Sequence, residues 1–592
     1  MSKTLTLAVL LVLLSIPVLA QNDNDPESEL CKAVDPLLLV SQLTSESRNV
    51  DENDKRIRIL LSSADFVWRF AEEDARRYFA DAYKLADLDF RENGRKDKGP
   101  SPGLMIPAPD LRFEVVSAIA KRDGAWARQL ADQIMADFVK AAKDRDERFQ
   151  PREIGLMLAL AEENAETQPD LAWYLFRRVM REPLENHWIF TLRGVRAQNP
   201  SMADALYREL LMNYRNESPR RLLFLSGYPF PRERIFGIEK YQVGNIIPAE
   251  DINPELQRQF FTTFFDSISA YAASPGAHAP GDGSVSEPMV IVSALDEMEE
   301  LIIADFPFLL PRFASAKTQA LSLMTEELRQ RLAERQRMQS QLELGFDERL
   351  AAVEEADEHG RLQDSMIVGL IFWGIKSEAQ FDKLEPWLDK IAEDNYRKEA
   401  AAYFWFLRSR LAIKDGRFAD AEKYAANVPE VEHFAILAFE LAQKQMDDIN
   451  DVSSAYQTLS SLGKTIRRAE DSATKAKLLL GLATLYRKLN TSFAMDEIAE
   501  AVRVMNRLEN PDMSSMAVFR QIVGKNSSSF AVFSIPGKGF KESFREMSET
   551  DIGLTLSNAR AIEDKYLRTI AVLATIEGCA EIIEAAPKES GS

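Results

Sequence analysis

The sequence predicts an all-α protein in which antiparallel helical hairpins stack as an α-solenoid, in two arrays. Three observations predict it. Apolar residues recur at three- and four-residue spacing along most of the chain. Very short turns marked by Gly or Pro separate these stretches, and helices joined by so little chain pack antiparallel. Similar helical pieces recur at irregular intervals. A chain of 592 residues exceeds one compact core of ordinary size, and 46% hydrophobic with 28% charged residues is the composition of a folded chain.

The first stretch, "MSKTLTLAVLLVLLSIPVLA", carries a Lys and an apolar run from Leu5 to Leu14, then ends in small residues before Gln21. This is the pattern of a signal peptide over residues 1–20, the alternative being an uncleaved anchor. The run is short for a membrane span of about 20 residues. Gln21 stands where a lipoprotein signal has Cys. Residues 21–53 begin polar and acidic and read as a tether. Residues 54–272 form the first array. "RIRILLSSADFVWRF" sets Ile57, Leu60, Leu61, Ala64 and Val67/Trp68 on one helical face, and "EEDARRYFADAYKLADL" follows as its antiparallel partner. After a Pro/Gly-rich break at 92–110, the pieces "DGAWARQL", "QPDLAWYL" and "NPSMADAL" align on Ala127, Ala172 and Ala203. A turn residue (Gly124, Pro169 or Pro200) starts each helix. The small Ala allows close approach, and Leu130, Leu175 or Leu206 fills the groove one turn later. Residues 225–248 are irregular and aromatic, and read as a loop packing on this array.

"ASPGAHAPGDGSVSEP", residues 273–288, reads as a linker between arrays. Residues 289–592 form the second array. Within it, 318–360 is a charged stretch expected to form a solvated, coiled-coil-like helix pair. "MIVGLIFWGI" from Met366 suits a buried helix and is too short to span a bilayer. "AEDNYRKEAA", "AEDSATKAKL" and "IEDKYLRTIA" align Asp394, Asp471 and Asp564 as helix N-caps, each followed by Lys398, Lys475 or Arg568. The segment 523–544 is Ser/Gly-rich, then apolar, and is expected to form a loop or short hairpin over the helices.

"AAAYFWFLRSRLAIKDGRFADAEKYAANVP" resembles a tetratricopeptide-type hairpin: Leu407, Gly416, Phe418, Ala421, Tyr424 and Pro429 match its leucine, turn glycine, aromatic, small residue, aromatic and closing proline. Residues 475–506 are a looser second match. The chain as a whole resembles secreted bacterial proteins built from degenerate helical hairpins. That resemblance implies a fold and brings no activity.

Little in the sequence points to chemistry. The net charge of −20 repels a nucleic-acid backbone, and the short basic runs "SPRRLLF" (218–224) and "KTIRR" (464–468) read as helix-surface charges. His187, His278, His359 and His433 have no metal-ligand spacing. The Gly524-Lys525 and Gly537-Lys538 pairs lack the upstream Gly of a phosphate loop. Glu542 in "KESFREMSETDIG" faintly resembles the catalytic Glu of lytic transglycosylases, but Ile552, Gly553, Leu554 and Thr555 stand where that family's next motif belongs. No catalytic, cofactor-binding or metal residues are therefore assigned, and no cofactor is expected. The seven Trp read as wedges between helices. Cys31 and Cys579 either pair across the chain or remain two lone thiols. The expected function is that of an exported, non-catalytic scaffold, secreted or periplasmic, that binds a protein or peptide. The alternative is an envelope enzyme acting on polysaccharide or peptidoglycan through two carboxylates in a cleft.

Overall fold

A computed structural model describes residues 36–93, 110–143, 151–184, 187–230, 236, 253–274, 286–342, 345–373, 375–525 and 528–585. The signal peptide over 1–20, Cys31, the linker residues 275–285, His278 and much of 225–248 lie outside them. The described residues are all-α apart from one β-hairpin. Its helices are α1 (Pro36–Glu46), α2 (Asn53–Val67), α3 (Glu72–Asn93), α4 (Leu111–Ala120), α5 (Gly124–Lys143), α6 (Pro151–Glu163), α7 (Pro169–Val179), α8 (His187–Gln198), α9 (Pro200–Asn213), the single turn α10 (Pro219–Leu222), α11 (Pro254–Ala273), α12 (Glu287–Asp305), α13 (Leu310–Ser322) and α14 (Glu326–Leu342). They continue as α15 (Phe346–Glu358), α16 (Asp364–Trp373), α17 (Glu378–Leu384), α18 (Asp394–Lys414), α19 (Phe418–Ala425), α20 (Val431–Asp447), α21 (Val452–Arg468), α22 (Ala473–Tyr486) and α23 (Thr491–Asn506). Strands β1 (Ala517–Val523) and β2 (Ser528–Ser534) precede α24 (Phe540–Ser548), α25 (Ile552–Arg560) and α26 (Lys565–Ala585). No described helix is long and apolar enough to cross a membrane.

The chain divides into two compact units: residues 1–78 with 345–592, and residues 79–344. In the second unit, α4 pairs with α5, α6 with α7 and α8 with α9. Each hairpin also stacks on the next, α4 on α6, α6 on α8 and α5 on α7, as the helices of a solenoid do. The recurring frame does what its residues require. Gly124, Pro169 and Pro200 each open a helix. Ala127, Ala172 and Ala203 are fully buried, with Leu175 and Leu206 at most 1% exposed. A buried arginine pins the start of this stack: Arg112 donates to both oxygens of Asp110 at 3.0 and 2.9 Å and lies 3.6 Å from the Phe90 ring centroid.

Residues 273–288, expected to separate two arrays, fall inside this second unit. Helices α11 and α12 on either side of them both pack on α13. A phenylalanine ladder makes that packing continuous. Phe261 meets Phe306 at 5.3 Å and Phe265 meets Phe313 at 5.9 Å. The irregular segment before α11 joins the same cluster as expected, with Phe230 5.1 Å from Phe261. The charged stretch over 318–360 is not one coiled-coil-like pair. Helix α14 packs on α12 in the second unit, and α15 packs on α16 in the first.

In the first unit the pairs α18–α19, α20–α21 and α22–α23 stack in order, α18 on α20 and α20 on α22. The turn of the tetratricopeptide-like pair is closed by Gly416 at φ +75, a left-handed conformation that costs a residue with a Cβ about 1–2 kcal/mol. Ala421 and Tyr424 are buried against the preceding helix. Helix α16 buries Ile367, Val368, Leu370 and Ile371, as its apolar sequence requires.

The tether expected over 21–53 is helical from Pro36. Val40 (0% exposed) and Leu43 (6%) drive this, each worth about 1.5–3 kcal/mol on burial. Helices α1 and α2 both pack on the last helix, α26, so the two ends of the described chain share one core.

Of the three aspartates expected as N-caps, only Asp564 serves, accepting from the Leu567 amide at 2.8 Å. Ser472 caps α22 in place of Asp471, because its hydroxyl reaches the Lys475 amide at 3.1 Å. Asp394 sits one residue inside α18 and pairs with Arg397. The basic residues of this frame have a clearer task. Lys475 donates to the Ala469 and Arg467 carbonyls at 2.7 and 3.1 Å, and Arg568 to the Ile562 carbonyl at 3.2 Å, tying each helix start to the turn before it.

The hairpin expected over 523–544 lies earlier, its strands antiparallel with Ala517 opposite Ser534 and Val523 opposite Ser528, and residues 540–544 belong to α24. Its inner face buries Val518, Arg520 and Ile522. Arg520 donates to Glu430 at 3.1 Å and to Glu399 at 3.0 Å, fixing the hairpin to α18 and α20.

Candidate functional site

The residues singled out in the sequence for chemistry are not brought together. His433 is buried beside Arg520, 3.4 Å from a guanidinium nitrogen, where burial and then the Arg520 charge lower its pKa. His187 packs against Gly155. His359 ends α15, its Nδ1 2.7 Å from the Glu355 carbonyl. Among the described residues, no group of three His, Cys, Asp or Glu could hold a metal ion. Glu542 lies in the first turn of α24 with its carboxylate folded over Gly539, the place of a carboxylate at a helix start. Three Trp act as wedges: Trp188 is fully buried, Trp126 meets Phe79 edge-on at 6.3 Å, and Trp405 meets Phe404 edge-on at 5.2 Å.

Trp173 is half-buried and meets Phe176 edge-on at 6.4 Å. It lines an open cleft of about 540 Å³ in the second unit, with Arg128, Asp170, Tyr174, Arg177, Arg178 and Arg181. The sequence builds this cleft from one amphipathic helix. In α7, Leu171, Ala172, Leu175, Phe176 and Val179 form the buried face. The other face must therefore present Asp170, Trp173/Tyr174 and Arg177/Arg178 at helical spacing, with Arg181 in the turn after the helix. The charge order also suits the helix. Pro169 and Asp170 stand at its positive start, while Arg177 and Arg178 stand at its negative end. Arg128 comes from α5, whose buried face is set by Ala127, Leu130 and Ala131.

The aromatic rings hold guanidinium groups in place. The Arg128 guanidinium lies 3.7 Å from the Tyr174 ring centroid, and that of Arg177 lies 5.1 Å from the Trp173 ring. The Tyr174 hydroxyl donates to Asp132, and burial followed by that carboxylate raises its pKa. Arg177 grips Glu209 of α9 with two bonds, Nε at 2.8 Å and Nη2 at 3.2 Å. Among the described residues, Arg128, Arg178 and Arg181 have no ion-pair partner. The arrangement offers forked donors to an anion.

Sequence reading passed over this cluster. The basic runs weighed were 218–224 and 464–468. The signal that finds it is "DLAWYLFRRVMRE", read as a helix: Trp173, Tyr174 and the arginines fall away from the face of Leu171, Leu175, Phe176 and Val179.

Two other clefts occur in the first unit. One, of about 570 Å³, is lined by Arg410, Glu440, Lys444, Asp447 and Asp448 among others, and its acids are paired with bases: Arg410 with Glu440 at 2.7 Å and Lys444 with Asp448 at 2.7 Å. The other, of about 350 Å³, is apolar and lies beside Ala421, Ala425 and Leu437.

No family model and no curated protein matches the chain. Among solved structures, it aligns with a circular tandem repeat protein of novel repeat topology and enhanced subunit contact surfaces. The identity is 12%, the alignment covers 94% of this chain and 98% of that one, and the TM-score is 0.14, too low to bear on either fold or function.

Proposed function

We propose that the chain is an exported, non-catalytic helical-repeat scaffold that holds a partner protein. One observation carries this reading: three arginines without carboxylate partners among the described residues line an open cleft, on a chain whose net charge is −20. Such a chain has carboxylates to spare, so guanidinium groups left unmatched are available to an anion from outside. The stacked hairpins supply the rigid frame on which such groups keep their spacing. Export is supported by the pattern of residues 1–20. A tetratricopeptide-type origin is supported by the α18–α19 turn at Gly416 with Ala421 and Tyr424 packed behind it.

The reading is tested by affinity capture of the tagged, full-length chain from its source cells, with mass spectrometry of what accompanies it. One stoichiometric partner in the secreted or envelope fraction is the expected result. A chain recovered alone from every fraction contradicts it.

A further inference from the structure

We propose that the cleft on α7 binds an acidic peptide segment of the partner, two of its carboxylates seated on Arg178 and Arg181 and a third group reaching Arg128. This rests on the scaffold reading and names the chemistry of its occupant.

The geometry favours carboxylates over other anions. Arg177, in the same cleft, already takes a carboxylate in forked fashion, Glu209 at 2.8 and 3.2 Å. Arg178 stands in the last turn of α7 and Arg181 in the turn that follows it, and both line the cleft. An extended acidic peptide presents carboxylates on one face at i and i+2, about 7 Å apart, so that one segment offers a carboxylate to each arginine. Bases and sugars are disfavoured because the ring faces they would stack on are occupied: Arg128 covers Tyr174 at 3.7 Å and Arg177 covers Trp173 at 5.1 Å. A long polyphosphate or nucleic acid is disfavoured by Asp170 in the cleft wall, by Asp132 beside Tyr174 and by the acidic chain around them. A short acidic peptide meets the arginines without bringing a dense charge against that surface.

The test is fluorescence anisotropy of a labelled hexaglutamate peptide titrated with the full-length protein at low and moderate salt. Wild type should bind, and more weakly as salt rises. Arg178→Gln with Arg181→Gln should weaken binding at least about tenfold, since each charge-assisted hydrogen bond removed is worth about that much. Lys464→Glu with Arg468→Glu, on the solvent side of α21, should leave binding within about twofold. Far-UV circular dichroism of the Gln variant should match wild type, as Arg178 lines the cleft from α7 and Arg181 is exposed in the turn after it. Equal binding by wild type and the Gln variant overturns the assignment, and so does a phosphoserine peptide of equal charge binding far more tightly than hexaglutamate. If wild type and the Gln variant capture the same partner and neither binds hexaglutamate, the cleft assignment fails and the scaffold stands. If hexaglutamate binds through Arg178 and Arg181 while no partner is ever captured, the cleft assignment stands and the scaffold fails.

Discussion

A half-buried glutamate and a buried arginine show how single residues set the stability of this chain. Glu162, at the end of α6, lies against Gly194 of α8, where an added Cβ would come 1.7 Å from its carboxylate oxygen. Burial, with Glu163 beside it, raises its pKa to about 7 from an ordinary 4.5. The folded state therefore holds a proton that the unfolded chain releases, and stability falls as pH rises from about 4.5 through about 7. Glu162→Gln should remove that dependence and stabilise the protein above pH 7 by about 1–2 kcal/mol after allowance for solvent screening. The check is the urea midpoint of both proteins across pH 5 to 8. Arg408 presents the opposite case. It is 6% exposed, lies 4.6 Å from the Tyr424 ring centroid, and donates to Glu378 at 2.6 Å and Glu385 at 2.7 Å, with Asp382 also in contact. Arg408→Met leaves three carboxylates facing one another and should cost about 3 kcal/mol, read as a lowered urea midpoint. Neither charge was legible in the sequence. An Arg or Glu on a helix looks the same whether its face is wet or dry until the neighbouring hairpin is placed. The buried Ala of the recurring frame were legible, because small residues at a fixed distance from a turn have few other uses.

Helices were legible where one face repeats, and the ends of the chain where it does not were missed. Helix α1 begins with Pro36-Leu37-Leu38-Leu39-Val40 after an acidic stretch, and only its packing on α26 gives that apolar run a place. Deleting residues 36–50 should uncover α2 and α26 and lower the first thermal transition of the protein, measured by differential scanning calorimetry. Cys31 stands five residues before α1 in sequence, and Cys579 is on α26. If the two pair, the oxidised chain should run faster than the reduced chain on a denaturing gel, and Cys579→Ser should abolish the difference. The late β-hairpin was anticipated as a possibility, but its fastening was not. Arg520 lies far in sequence from Glu399 and Glu430, so no local pattern predicts their meeting.

The largest departure from the sequence reading is in how the chain divides. A Gly/Pro-rich stretch usually marks a boundary, yet the one at 273–288 sits within the second unit, because phenylalanines on both sides of it share one ladder. A fragment spanning 72–344 should therefore melt cooperatively on its own. One ending at 272 loses Phe306 and Phe313 and should melt broadly, by circular dichroism. Above both units stands the claim that this is a binding scaffold. It is tested most directly by quantifying partner capture from source cells by three proteins in parallel: wild type, Arg178→Glu with Arg181→Glu, and Lys464→Glu with Arg468→Glu. The account predicts that wild type and the second variant capture one partner equally while the first captures little or none. Equal capture by all three contradicts the cleft as the docking site, and capture by none contradicts the scaffold itself.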